Sequence, residues 1–126
     1  MSVASDFQLL AAQANDQMVV YYPEHRTVRV VWKRVSLRLK VDEFRSLMVV
    51  FEQCRGGLVD ANDGVIRLAQ HDAGCFELMI EEATVRLFPM DYWLLGQLLE
   101  VAWHRLIQQK GRDMSAYPFD HRLHLN

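Results

Sequence analysis

Apolar alternation that twice slips phase and then runs into an amphipathic helix constrains this chain more than any other feature of its sequence. In residues 27–33, Val28, Val30 and Trp32 alternate with Thr27, Arg29, Val31 and Lys33, the period of a half-buried strand. From 34 to 41 the apolar set becomes Val35, Leu37 and Leu39, so the phase moves by one residue between Trp32 and Val35. Such a slip marks either a tight turn at Lys33-Arg34 or a bulge in one long strand, because an uncorrected slip would turn every later side chain to the wrong face. Lys-Arg is poor chemistry for the commonest two-residue hairpin turn, which keeps the bulge open beside the turn. Asp42 then reads as an N-cap with Glu43 in the first turn. Phe44, Leu47, Val50, Phe51 and Cys54 recur at three- and four-residue steps and predict a helix ending near Arg55.

The same succession returns. Val65–Leu68 reads as a strand and residues 70–74 as a turn; Phe76, Leu78 and Ile80 then alternate with Glu77, Met79 and Glu81. The phase slips at Glu81-Glu82, before Ala83, Val85 and Leu87. Pro89 and Asp91 open a longer helix carrying Tyr92, Leu95, Leu98, Leu99, Ala102, Trp103 and Leu106, ending near Lys110-Gly111. Laid over one another at an offset of 48, residues 16–54 and 64–102 share few identities (Arg38 with Arg86, Leu39 with Leu87, Leu47 with Leu95, Glu52 with Glu100), but the apolar residues at 28, 30, 32, 35, 37, 39, 44, 47, 50, 51 and 54 all meet apolar residues 48 later.

These patterns predict an α+β fold: antiparallel sheet with helices packed on one side, in two sequential βββα halves, with internal duplication as one origin of the shared plan. Met18–Tyr22 adds a strand that stops at the turn-like residues 23–26. Residues 4–14 are expected to form a short helix, with Ser5 or Asp6 as its cap and Phe7, Leu10, Ala11 and Ala14 on one face. The connector 55–63 (RGGLVDAND) is short enough to lie inside one domain, so residues 1–126 read as a single unit. The tail, 112–126, has little helical pattern but carries Tyr117, Pro118, Phe119, Leu123 and Leu125, anchors for docking on its own domain or a neighbour.

Composition narrows the class. With 126 residues, 51% hydrophobic and 24% charged, six Gly and three Pro, the chain is too apolar for disorder and long enough to bury a core without metal or disulfide staples. Two Cys make no disulfide framework, residues 1–15 lack the pattern of a secretory signal, and no apolar run reaches the ~18 to 20 residues that span a bilayer. A cytoplasmic setting without membrane contact is expected.

Charge divides the halves. Residues 16–54 hold seven Lys and Arg against five Asp and Glu, and residues 64–102 hold two against six. The reversal falls on matching outward positions: Arg29 against Glu77, Lys33 against Glu81, Arg34 against Glu82. If these rows meet, within one molecule or between the copies of a homodimer, they fix register and partner choice; otherwise they are solvated faces of a sheet. Arg38 and Arg86, at matching strand ends, are candidate ligand contacts or arginines covering apolar surface with their stems.

Chemistry-bearing motifs are sparse. The sequence has no nucleophile elbow, phosphate-binding glycine loop, dinucleotide fingerprint or paired Cys-x-x-Cys. His121-x-x-His124 and the His71-Asp72-x-x-Cys75 group lack the spacing of a structural zinc site. No enzyme activity, metal or cofactor is therefore expected. Arg26, Arg29, Lys33, Arg34, Arg38 and Lys40 form a stripe free of acids that suits phosphate, with Tyr21, Tyr22 or Trp32 for stacking; Trp32 in the inward phase and the net charge of -2 argue against it. The reading that fits most broadly is a non-catalytic binding or regulatory module that engages a protein partner and forms a homodimer, with nucleic-acid binding through residues 26–40 as the alternative.

Overall fold

The computed structural model describes residues 7–71 and 74–113, with side chains as far as 108. Two four-stranded antiparallel meanders each run directly into a helix. The first sheet comprises β1 (Gln8–Ala14), β2 (Gln17–Tyr22), β3 (Thr27–Trp32) and β4 (Val35–Lys40), followed by α1 (Val41–Arg55). The second comprises β5 (Asp60–Asn62), β6 (Ile66–Gln70), β7 (Phe76–Ile80) and β8 (Ala83–Leu87), followed by α2 (Pro89–Asp113). The α+β class and the two similar halves agree with the sequence patterns, but each half has four strands.

The additional strands come from segments read otherwise. Residues 8–14 form a strand, not the expected helix, and residues 60–62 of the connector pair with β6. The register of β1 on β2 shifts between Leu9 and Ala11 and again between Ala12 and Ala14. These irregularities let the consecutive Leu10 and Ala11 both be buried, so the period of two is broken and the spacing imitates a helix. Tertiary pairing overrides the helix propensity of Leu, Ala and Gln. The proposed cap residues Ser5 and Asp6 lie outside the described residues, as does the tail beyond 113.

Both phase slips are tight two-residue turns. Trp32 pairs with Val35 and Ile80 with Ala83, and the first turn residue has positive φ in each, 58° at Lys33 and 54° at Glu81. An L-residue in this region costs about 1–2 kcal/mol. Lys33 is held there by its N–H donating to the Asp16 carbonyl at 2.6 Å and by its ammonium, 2.7 Å from Asp91 Oδ1. Arg26 (φ 53°) and Gly74 (φ 80°), also 48 apart, occupy the β2–β3 and β6–β7 turns. The second of these turns is one residue shorter: the His71 N–H donates to the Cys75 carbonyl, closing over three residues where Tyr22 and Thr27 close over four. Upstream of it the matching offset therefore becomes 49, as in the turns closed by Ala14 with Gln17 and by Asp63 with Ile66.

The helices begin where the strands stop. The N-cap of α1 is Lys40 and not Asp42, which falls inside the first turn; Glu43 reaches back to accept the Lys40 N–H at 2.8 Å. Gly57, at φ 119°, ends the helix, donating to the Cys54 carbonyl while Leu58 donates to that of Gln53. α2 continues to Asp113, beyond the stop expected at Lys110-Gly111.

Each helix packs chiefly on the other half's sheet. α1 lies on β5 and β6, and α2 on β1 and β2. The Arg105 guanidinium on α2 donates to the Leu10 carbonyl at 3.0 Å, and Gln13 Nε2 on β1 donates to the Leu94 carbonyl at 3.2 Å, so α2 also closes polar groups along the β1 edge. The inner rows of both sheets (Val19, Val28, Val30 and Leu39; Ile66, Leu68, Leu78 and Leu87) join the helices in one core. Aromatics bridge it: Tyr92 stacks between Phe51 of α1 (5.3 Å) and Phe76 of β7 (3.9 Å), and Phe44 meets Trp103 at 5.8 Å.

Gly96 faces Phe51, and a Cβ built there meets Phe51 Cδ2 at 3.5 Å, ordinary van der Waals distance. Gly96→Ala is expected to raise stability by about 0.5–1 kcal/mol, because helix-interior glycine carries excess unfolded-state entropy and the site has room. Urea unfolding checks this, and a loss of stability would mean that the helix contact is tighter than described.

Candidate functional site

Once the turns at 33–34 and 81–82 are tight, strand pairing assigns every outward residue a partner. Arg29 stands directly opposite Arg38, and 48 residues later Glu77 stands directly opposite Arg86. One backbone position thus carries a like-charged pair in the first sheet and an opposite-charged pair in the second.

The outer face of the second sheet neutralises itself. Glu77 Oε2 lies 3.8 Å from the Arg86 guanidinium and its Oε1 lies 2.9 Å from His71 Nε2. Arg67 forks onto Asp60 through Nε and Nη2 at 2.9 and 2.6 Å, and the hydrogen-bonding guanidinium holds the Asp60 carboxyl below the usual carboxylate range.

The outer face of the first sheet does not. None of its four strands contains Asp or Glu. Arg29 donates through Nε to Ser36 Oγ at 2.8 Å, while Arg38 and Lys40 on the edge strand are exposed, and none of the three has an ion-pair partner among the described residues. Register continues the rows across the sheet: Leu9, Val20, Arg29, Arg38 in one, and Tyr22, Thr27, Lys40 in the next. Phe7 packs edge-on against Tyr22 at 6.2 Å and is 59% exposed; Leu9 is 51% exposed. The face is cationic along β3 and β4 and apolar-aromatic along β1 and β2.

The other sequence candidates disperse. Lys33 leaves the basic row to join Asp91 at the start of α2; Arg34 is exposed on the same turn, and Glu81 and Glu82 are exposed on the β7–β8 turn. Among the described residues no ion pair within the chain joins Arg29, Lys33 or Arg34 to Glu77, Glu81 or Glu82. Sequence reasoning missed Phe7, Leu9 and the facing of Arg29 with Arg38; the last was available by counting outward from a two-residue turn, had the slip been resolved as one.

Two concavities carry other chemistry. An open bowl of about 700 Å³ is lined by His71, Cys75, Glu77 and Arg86, with the Glu77 carboxylate shared between His71 and Arg86. A groove of about 480 Å³ between the helices is lined by Phe51, Cys54, Tyr92 and the exposed Trp93. Burial pushes the Cys54 thiol up, and its S–H lies 3.5 Å from the Leu68 carbonyl, so it is a poor nucleophile at neutral pH. Among the described residues no three His, Cys, Asp or Glu are grouped to hold a metal ion, and no helix is long and apolar enough to cross a membrane. His121 and His124 lie outside the described residues.

No protein-family model matches this chain, and neither a curated protein nor a solved structure shows significant similarity to it.

The facing arginines repel, and like charges directly opposite in a sheet are destabilising by a few tenths to about 1 kcal/mol. Arg38→Glu, which copies the Glu77–Arg86 arrangement with the signs exchanged, is expected to stabilise the protein by about 0.5 kcal/mol at low ionic strength, with the gain shrinking in salt. Thermal unfolding at two salt concentrations measures it; a salt-independent loss would show that Arg38 makes a favourable contact.

Proposed function

We propose that this chain is a non-catalytic binding module whose working surface is the outer face of the first sheet and whose partner presents negative charge. The facing of Arg29 with Arg38, where the equivalent position of the second sheet is an ion pair, carries the reading. An acid-free cationic row beside exposed Phe7 and Leu9 combines the charge complementarity that steers encounter with apolar surface to bury on contact. A protein with an acidic patch satisfies this chemistry, and so does nucleic acid, which the acid-free face favours more than the overall charge did. Two free cysteines suit a cytoplasmic setting.

Retention on immobilised heparin, a generic polyanion, tests the surface. Arg29→Gln/Arg38→Gln is expected to elute at markedly lower salt than the parent, while Glu77→Gln/Arg86→Gln elutes unchanged or later. Equal retention of both variants would remove the first sheet from the reading.

Homodimer formation is the second element. The basic and acidic rows do not pair inside the chain, so a role in assembly requires them to meet between copies, Arg34 and its neighbours of one against Glu81 and Glu82 of the other. Light scattering on a size-exclusion column is expected to give a dimer at low salt that dissociates at high salt. A monomer in both conditions would assign the acidic turn to solvent.

A further inference from the structure

We infer that the occupant of this face is a single-stranded nucleic acid, its backbone along Arg29, Arg38 and Lys40 and its bases turned over β2 and β1 toward Tyr22 and Phe7; the inference rests on the binding reading above.

Three observations point to this ligand. Arg38 and Lys40 alternate on β4 with Arg29 opposite Arg38, so the cations form a strip rather than a point, and a strip of cations on strands that carry no acid matches a chain of phosphates. A discrete anion or a single acidic side chain would bridge at most the facing Arg29 and Arg38 and leave Lys40, two residues along β4, unengaged. The aromatic pair Phe7–Tyr22 lies on the same face; Tyr22 sits in the row of Lys40, two strands away at about 4.8 Å per strand step, so it is beside the strip rather than under it. That separation lets one ligand set phosphates on the cations and unpaired bases on the rings. Duplex nucleic acid keeps its base faces stacked inside and offers the rings nothing, and an acidic peptide supplies charge without flat π surfaces. Third, beyond the cations and the aromatic pair the face is mostly apolar: Ala12, Met18, Val20 and Val31 bring no hydrogen-bonding side chain, and of the two hydroxyl side chains there, Thr27 and Ser36, Ser36 is already held by Arg29, so binding should depend on stacking and charge with little sequence preference.

Fluorescence anisotropy with a labelled oligothymidylate of about 15 nucleotides tests this. The full chain is expected to bind it at least tenfold more tightly than a duplex of equal length. The logarithm of the affinity should fall with the logarithm of salt at a slope of about -2, the value for three phosphate contacts on a single strand, and the slope should fall to about -0.7 in Arg29→Gln/Arg38→Gln. Phe7→Ala, at an exposed position that leaves the core intact, should weaken binding about tenfold without changing the slope. Circular dichroism and unfolding of each variant separate lost contacts from lost fold. Equal affinity for duplex, or oligonucleotide binding insensitive to both sets of changes, overturns the inference. If polyglutamate binds through Arg29 and Arg38 and the oligonucleotide does not, the nucleic-acid inference fails while the anion-binding module stands. If neither binds, both fail.

Discussion

The architecture depends on where the two helices are able to go. β4 ends at Lys40 and α1 begins at Val41; β8 ends at Leu87 and α2 begins at Pro89. A helix that folds back over its own sheet needs a few residues of connection, and here there are none or one. Each helix instead leaves its own sheet and covers the first two strands of the other half, so neither half can bury its inner face alone. The stack of Phe51, Tyr92 and Phe76 lies where this exchange is completed and joins α1, α2 and β7 in one contact. Gly96 belongs to the same junction: a side chain larger than Ala would push on Phe51.

The periodicities carried much of this plan. Both helices, the strand segments β3, β4, β7 and β8, and nearly all inward residues follow from period-two and period-3.6 patterns whose signals are local. The misses share a physical cause, which is backbone irregularity that pattern reading takes as something else. The bulges in β1 put Leu10 and Ala11 on one side, and a period of two interrupted twice in seven residues looks like a helical face. The three residues of β5 are too few to alternate visibly, and their place is set by pairing with β6. Lys33 and Glu81 hold positive φ without glycine or asparagine, so composition does not announce those turns. The site suffered most, because pairing across a hairpin is set by the turn: a bulge would leave Arg29 and Arg38 on one strand, whereas a two-residue turn sets them opposite one another.

Comparing the halves separates what the fold needs from what it tolerates. Inner positions match in apolar character across the offset because one shared core constrains both sheets. Outer positions are free to differ, and they differ in a consistent direction. The second sheet spends its acids on its own arginines, with Glu77 between Arg86 and His71 and Asp60 beneath Arg67. The first places no acid on its strands, and the one basic side chain of its row that is neutralised, Lys33, is engaged at the turn in holding strained backbone to the N-terminus of α2, where Asp91 also faces the positive end of the helix dipole.

That contrast bears on why the repulsion between Arg29 and Arg38 is tolerated. Both side chains project from the outer face, so their repulsion acts through water and is partly screened; the core beneath, with Val28, Val30 and Leu39 fully buried, is unaffected by it. The cost is therefore a small fraction of a domain's stability and is confined to the outer surface of the first sheet. An anion placed between the two guanidinium groups converts their repulsion into two attractions, so part of the binding free energy is the relief of a cost already present in the free protein. A neutral pair, as in the second sheet, has no such cost to relieve and must be broken before its arginine can engage a ligand. The same β-hairpin backbone thus carries a satisfied charge pair in one half and an unrelieved repulsion in the other, and the difference rests on the residue facing the arginine.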